Sequence, residues 1–216
     1  MALPSGEPDS PEAVRRWVAE QTVARDPFAH VYRASEDHRQ RHGPTCTVYP
    51  TGSGPLVATL VAATHASRIL EVGCGLGYSA LWLTFGSAPD GHVETIEQDA
   101  SHVELARRHF DQEGYSPRIT IHQGTGDSVL PKLSGPYEFI FCDGDIDEYL
   151  VDFDHFLRLL EPGGLLVTAN LFLGQHDPDI PALDQAAAYR QRILDERRLV
   201  TAFLPTGLAL SVRKQD

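Results

Sequence analysis

Three glycines spaced two apart, Gly73, Gly75 and Gly77, follow an apolar run that carries Glu71, and the helix-like stretch Tyr78-Ser79-Ala80-Leu81-Trp82 comes directly after them. A strand that passes through bare backbone into a helix N-terminus presents free N–H groups to a ligand at the carboxyl edge of a sheet. The spacing selects among ligands. A dinucleotide fingerprint needs glycine where this chain has Tyr78, and Glu71 would repel a pyrophosphate while tolerating a cation. Glu97, with Gln98 beside it, ends the next apolar run, where a carboxylate accepts ribose hydroxyls. Gly126 and Asp127 follow the third run, offering close backbone approach and a side chain suited to an adenine edge, and Asp143 follows the fourth. Together these residues describe a site for a nucleoside with a positively charged tail, which S-adenosylmethionine fits better than NAD.

The elements that must hold them alternate. Strands are expected at Arg68–Val72, Val93–Glu97, Ile119–His122, Glu138–Cys142 and Leu165–Thr168, with helices near 78–86, 100–113, 126–133, 147–160 and 182–197 between them. This is the pattern of a parallel sheet covered on both faces. Two closing strands, Leu199–Leu204 and Leu208–Arg213, are separated only by Pro205-Thr206-Gly207 and must pair antiparallel. Ahead of the core, Ser10-Pro11-Glu12 starts a helix running to about Gln21 with Val14, Trp17 and Val18 on one stripe, residues 28–42 form a second, more polar helix, and Leu56–His65 a third.

Composition sets the outer limits. The chain has 216 residues, 42% hydrophobic, with 18 Lys and Arg against 30 Asp and Glu, a net charge of −12. That length suits one domain with its own core, and no apolar run approaches the roughly 20 residues of a membrane helix. The acidic balance argues against a nucleic-acid partner. Cys46, Cys74 and Cys142 are scattered and odd in number, which reads as small apolar residues in a reducing cytoplasm. The N-terminus has neither a basic nor an apolar leader segment, so no signal peptide is expected.

At this point the chain resembles the catechol and caffeoyl-CoA type of small class I O-methyltransferases. The resemblance runs from about Pro50 to Lys214 and rests on ILEVGCGLGYSALW at 69–82, ETIE at 94–97, FIFCDGD at 139–145 with Tyr149, LLEPGGLLV at 159–167 with Asn170 and Gly174, and LPTGL at 204–208. It implies a Rossmann-like α/β fold with a seven-stranded, mostly parallel sheet, a small-molecule acceptor and a homodimer. Residues 1–50 would form a helical cap and dimerisation arm, and 51–216 the S-adenosylmethionine domain. By position, Glu71, Gly73, Gly77, Tyr78 and Ser79 would hold the methionine part, Glu97 the ribose, and Gly126 with Asp127 the adenine. Thr47 and Tyr49 would flank the methionine end.

The departures bear on chemistry. Ile146 stands where the family usually has the lysine taken as general base, Ala169-Asn170 replaces a metal-binding Asp-Asn pair, and a Gly-Asp-Gly near the end has become Thr206-Gly207. Asp143 and Asn170 alone are too few oxygen ligands for tight Mg²⁺ or Ca²⁺ binding, so no metal site is expected. Methyl transfer from a sulfonium chiefly needs in-line proximity and a nucleophile with a free lone pair. Asp143, Asp145 and His176 are the candidates to accept a proton, although a loop histidine such as His176 is also what a solvated residue looks like. His38 and His42 lie in the segment that would cap the pocket, and Trp17, Phe28 and Tyr32 are candidates for an aromatic slot or for helix packing. Two functions remain open: a metal-independent O-methyltransferase acting on a phenolic hydroxyl, and a cofactor-binding protein that has lost the chemistry and serves as a structural or regulatory partner.

Overall fold

The computed structural model describes residues 10–43, 46–50, 52–172 and 183–215. Seven strands, β1 (Arg68–Val72), β2 (His92–Glu97), β3 (Ile119–Gln123), β4 (Tyr137–Cys142), β5 (Leu160–Thr168), β6 (Leu199–Phe203) and β7 (Ala209–Arg213), form one sheet in the order β3-β2-β1-β4-β5-β7-β6. The first five pair parallel, and β7 runs antiparallel to both β5 and β6. The short turn after β6 leaves no room for a crossover, so reversal is the only way to keep that chain in the sheet.

Helices α1 (Pro11–Ala24), α2 (Ala29–His42), α3 (Gly54–Thr64), α4 (Tyr78–Gly86), α5 (Ala100–Glu113), α6 (Gly126–Val129), α7 (Tyr149–Leu159) and α8 (Leu183–Asp195), with short 3-10 turns at Ser116–Arg118 and Leu130–Lys132, complete the described elements. Alternation along the strands divides the core in two. Ile69, Phe139, Phe141 and Val167 face α2 to α5, while Leu70, Ile140, Cys142 and Leu166 face α6 to α8. Both faces being covered explains why these strands read as continuous apolar runs.

Several boundaries differ from expectation, and three of the shifts have a plain local reason. The helix expected over 126–133 ends as α-helix at Val129 and tightens into a 3-10 turn over Leu130–Lys132, because Pro131 has no N–H to continue it. Helix α7 begins at Tyr149 rather than 147, since the Asp145 side chain accepts the Asp147 N–H at 3.1 Å and holds a turn there. Strand β5 begins at Leu160, not 165, with a register irregularity opposite Tyr137 and Phe139 around Gly163, which sits at φ +88°. Near the N-terminus, Ser10 Oγ caps α1 through the Ala13 N–H at 3.1 Å, and the helix runs three residues beyond the expected end. Its Val14, Trp17 and Val18 are exposed, Trp17 by 48%, so the apolar stripe is not packed into the core. Phe28 does belong to the core, edge-on to Trp82 at 5.3 Å.

The three cysteines are buried and free. Among the described residues no helix is long and apolar enough to cross a membrane.

Candidate functional site

The strand order reverses between β1 and β4, so the crevice of this doubly wound sheet opens at their carboxyl ends. The two loops that leave these strands are locked together. The Asp143 N–H donates to the Val72 carbonyl at 2.9 Å, and a Cβ at Gly73 (φ +96°) would lie 2.5 Å from the Asp143 carbonyl oxygen. Gly75 serves the opposite purpose. It adopts φ +52°, and a Cβ there would meet only Val48, at 3.9 Å, so its backbone faces open space. The N–H groups of the first turn of α4 lie just beyond, and the residues of that turn have no intrahelical partner for them.

Glu71 is the side chain this loop is built around. Register places it opposite Thr95 on β2, whose hydroxyl donates to Glu71 Oε2 at 2.6 Å. The carboxyl is 0% exposed, and Oε1 has no hydrogen-bond partner of good geometry although the Ser79 hydroxyl is close. Burial pushes its pKa up to about 7 against the opposing hydrogen-bonding influence of Ser79 and Thr95, with the nearby Asp143 and Glu97 charges adding to the rise.

Glu97 closes β2 and is nearly buried. Its Oε2 accepts the Gly75 N–H at 2.8 Å and its Oε1 the Asp99 N–H at 2.9 Å. The glycine loop is thus tied to the acid on the neighbouring strand. Gln98 beside it is exposed. At the next strand end, Asp127 is exposed and accepts a hydrogen bond from Thr125, while Gly126 opens α6 with Asp152 of α7 pressed against its Cα.

Asp143 and Asn170 meet across the β4 and β5 ends. Asn170 takes a left-handed conformation (φ 64°), one that asparagine tolerates better than most residues, and its Nδ2 donates to Asp143 Oδ1 at 2.7 Å. Burial raises the Asp143 pKa to about 7 despite that hydrogen bond. Ala169 is buried, and Ile146 packs in the second half of the core rather than in the crevice. Asp145 is exposed at the same rim, and His176 lies outside the described residues.

On the N-terminal side, Val48 turns inward beneath Gly75 while its neighbours Thr47 and Tyr49 turn outward. Tyr49 is 58% exposed and lies under the Arg39 guanidinium, 3.9 Å from ring to cation, at the edge of a cavity of about 360 Å³ that Tyr32 and Glu36 also line. The Tyr78 ring is buried edge-on to Tyr32, and its hydroxyl donates to Asp26 Oδ2 at 2.7 Å. What Tyr78 can offer a ligand is therefore its backbone N–H.

Two residues of this edge escape a reading of the sequence. His102 of α5 is buried with Nδ1 3.4 Å from Glu97 Oε1. The signal was present: Asp99 as N-cap places the third helical residue back over the strand end that carries Glu97. Asp152 is buried with Oδ1 unpartnered, and burial, then the Glu148 and Asp127 charges, push its pKa up to about 7. Nothing in an acid within an amphipathic helix marks it in advance.

The O-methyltransferase family model matches residues 33–211. A protein of Mycobacterium sp. (strain JLS), provisionally named an O-methyltransferase, is 33% identical over 169 residues, covering 76% of this chain and 77% of its own. Catechol O-methyltransferase of Niastella koreensis is 33% identical over 132 residues, 59% of each chain. Among solved structures, cofactor-bound Rv0187 from MTB superposes with a TM-score of 0.80 at 25% identity, over 97% of this chain and 100% of that one. The S-adenosylhomocysteine-bound methyltransferase PaMTH1 of Podospora anserina shares the fold with a TM-score of 0.81 at 20% identity, over 99% and 100%. With the sheet order, the glycine loop and the acids at successive strand ends in place, the chain belongs to the O-methyltransferase family, with its Rossmann-like class I fold.

Proposed function

We propose that this protein is an S-adenosylmethionine-dependent O-methyltransferase that methylates the hydroxyl of a small phenolic acceptor without a divalent cation. The observation that carries the cofactor reading is the unpartnered Oε1 of the fully buried Glu71 beside the open backbone of Gly75. A buried carboxylate with one oxygen unpartnered is costly, and an ammonium group is a partner that oxygen could take. The other residues suit the same ligand: Glu97 Oε2 for the ribose, Gly126 and Asp127 for the adenine, the N–H groups of Tyr78 and Ser79 for the carboxylate of the methionine part, and Thr47 and Tyr49 flanking it.

When bound, S-adenosylmethionine supplies an electrophilic methyl carbon on a cationic sulfur. The chain's task is to orient the acceptor oxygen in line and to take its proton. Asp143, raised to about 7 and held by Asn170, is suited to receive that proton near neutral pH, with exposed Asp145 and His176 as secondary candidates. Asn170 turns its NH₂ toward Asp143, so the two polar side chains satisfy each other, and Ala169 supplies no oxygen. This supports a proton-accepting role for the pair in place of metal binding.

Residues 1–50 serve as cap and dimerisation arm over 51–216, in a homodimer in the cytoplasm. The arm's anchoring through Phe28, Val31 and the bond from Tyr78 to Asp26 supports the cap. The test is release of S-adenosylhomocysteine with phenols, catechols and hydroxy acids, in EDTA or in Mg²⁺. Turnover of a phenol that persists in EDTA is expected; turnover that requires Mg²⁺ would overturn the metal-free reading. Cofactor binding without turnover on any acceptor would favour a binding role instead. Asp143→Asn with Asp145→Asn should lower turnover by about 10²-fold or more, and an unchanged rate would remove both carboxylates from the chemistry.

A further inference from the structure

The surroundings of Glu97 contain a buried group that the proposed chemistry does not use. Asp99 accepts the N–H groups of Ser101 at 2.7 Å and His102 at 3.3 Å, and this cap winds the first turn of α5 so that the His102 ring returns to the end of β2. There its Nδ1 lies 3.4 Å from Glu97 Oε1, with both side chains 8% exposed. On its other side the ring meets His38 of α2 edge-on at 5.1 Å, and His38 is itself buried and stacked on His42 at 4.0 Å. The imidazole is therefore walled between the carboxylate and the N-terminal arm.

We propose that His102 is a positioning residue for the nucleoside: it fixes the Glu97 carboxylate so that Oε2 stays directed at the ribose, and α2 holds it there through His38. This rests on the S-adenosylmethionine reading above. A carboxylate has about four acceptor positions on its two oxygens. The Asp99 N–H and His102 fill those on Oε1, and the Gly75 N–H takes one on Oε2, so the open position is on Oε2. Without His102 the carboxylate keeps two backbone donors but loses the one that sets its rotation.

The groups facing His102 are Glu97 and Asp99 from its own side and His38 from α2, with His42 and Arg41 behind His38. The hydrogen bond to Glu97 raises the His102 pKa against burial, helped by the Glu97 and Asp99 charges. Burial lowers that of His38, aided by His42, His102 and Arg41. The arrangement favours the proton on the ring beside the carboxylate.

The test is calorimetric binding of S-adenosylhomocysteine and of its 2′,3′-dideoxyribose analogue to the wild type, His102→Leu and His102→Asn, with thermal unfolding recorded for each. His102→Leu should bind S-adenosylhomocysteine about tenfold more weakly, the scale of a lost hydrogen bond to a charged group, and bind the dideoxy analogue as the wild type does. His102→Asn, which keeps a donor near the Nδ1 position, should stay within about threefold for both ligands. Equal weakening of both ligands by His102→Leu would show a merely structural role and overturn the proposal. So would unchanged binding of S-adenosylhomocysteine by His102→Leu, or a tenfold loss in a folded His102→Asn. Failure of the wild type to bind S-adenosylhomocysteine would instead overturn the cofactor reading on which the proposal stands.

Discussion

The two edges of the sheet differ in how they treat their carboxylates, with Glu97 and its three donors the exception at the carboxyl edge. At the amino edge, Glu138 accepts the N–H and hydroxyl of Ser67 and the N–H of Arg68, and although burial works against it these donors hold its pKa below the usual value. Glu94 nearby accepts from the Tyr137 hydroxyl at 2.8 Å and pairs with His122 at 2.7 Å. At the carboxyl edge, Glu71 and Asp152 each keep an unpartnered buried oxygen, and Glu71, Asp143 and Asp152 are all pushed up to about 7. Satisfied acids fasten the fold; unsatisfied ones hold binding capacity in reserve at a cost to stability.

The sharpest way to break this contrast is to remove one acid from each edge. Glu71→Gln should weaken S-adenosylmethionine binding by about a hundredfold, in the range of a truncated buried charge pair, while leaving the melting temperature unchanged or higher. Glu138→Ala should do the reverse: a stability loss of about 1–3 kcal/mol by denaturant titration, because the part-buried Ser67 and exposed Arg68 donors lose a charged acceptor, with cofactor affinity intact. If both variants lose stability and affinity together, the edges are not functionally separate.

The pH dependence should also differ in sign. Glu71 and Asp143 have folded-state pKa values raised from 4.5 and 3.8 to about 7. The unfolded chain then releases these protons first, so their contribution to stability is full below pH 4 and is lost as pH rises toward 7. Glu138, lowered in the folded state, contributes above its ordinary value of 4.5 and loses that contribution as pH falls. Denaturation of the cofactor-free protein between pH 4 and 8 should show a decline that Glu71→Gln shallows; a profile unchanged by that substitution would contradict the buried-acid assignment. The smallest effect belongs to the arm: His38→Ala should weaken S-adenosylhomocysteine by only about threefold, since it loosens the neighbour of a neighbour.

Much of this contrast is legible in the sequence, at the edge where residue type and spacing coincide. The glycine loop, Glu71, Glu97 and the closing hairpin need particular residues in a particular order, because backbone conformation and strand direction leave few alternatives. The boundaries of α6 and β5 were less readable, since Pro131 and the irregularity near Gly163 act over one or two residues inside otherwise regular patterns. The exposed Val14, Trp17 and Val18 show a different limit: periodicity marks an apolar face without saying what covers it. His102 and Tyr78 show a third. A side chain's partner depends on how separate elements pack: the Asp99 cap turns His102 back toward the end of β2 without fixing which atom it meets, and the turn of the Tyr78 hydroxyl toward Asp26 follows from no local spacing.

The central claim is that the carboxyl edge holds a buried acid awaiting a cationic nucleoside, and calorimetry with S-adenosylmethionine from pH 6 to 8 tests it most directly. The wild type should bind one equivalent per chain, more tightly as pH rises through about 7 and Glu71 ionises, and Glu71→Gln should flatten that rise. No binding at any pH, or an affinity whose pH dependence survives Glu71→Gln unchanged, would contradict it.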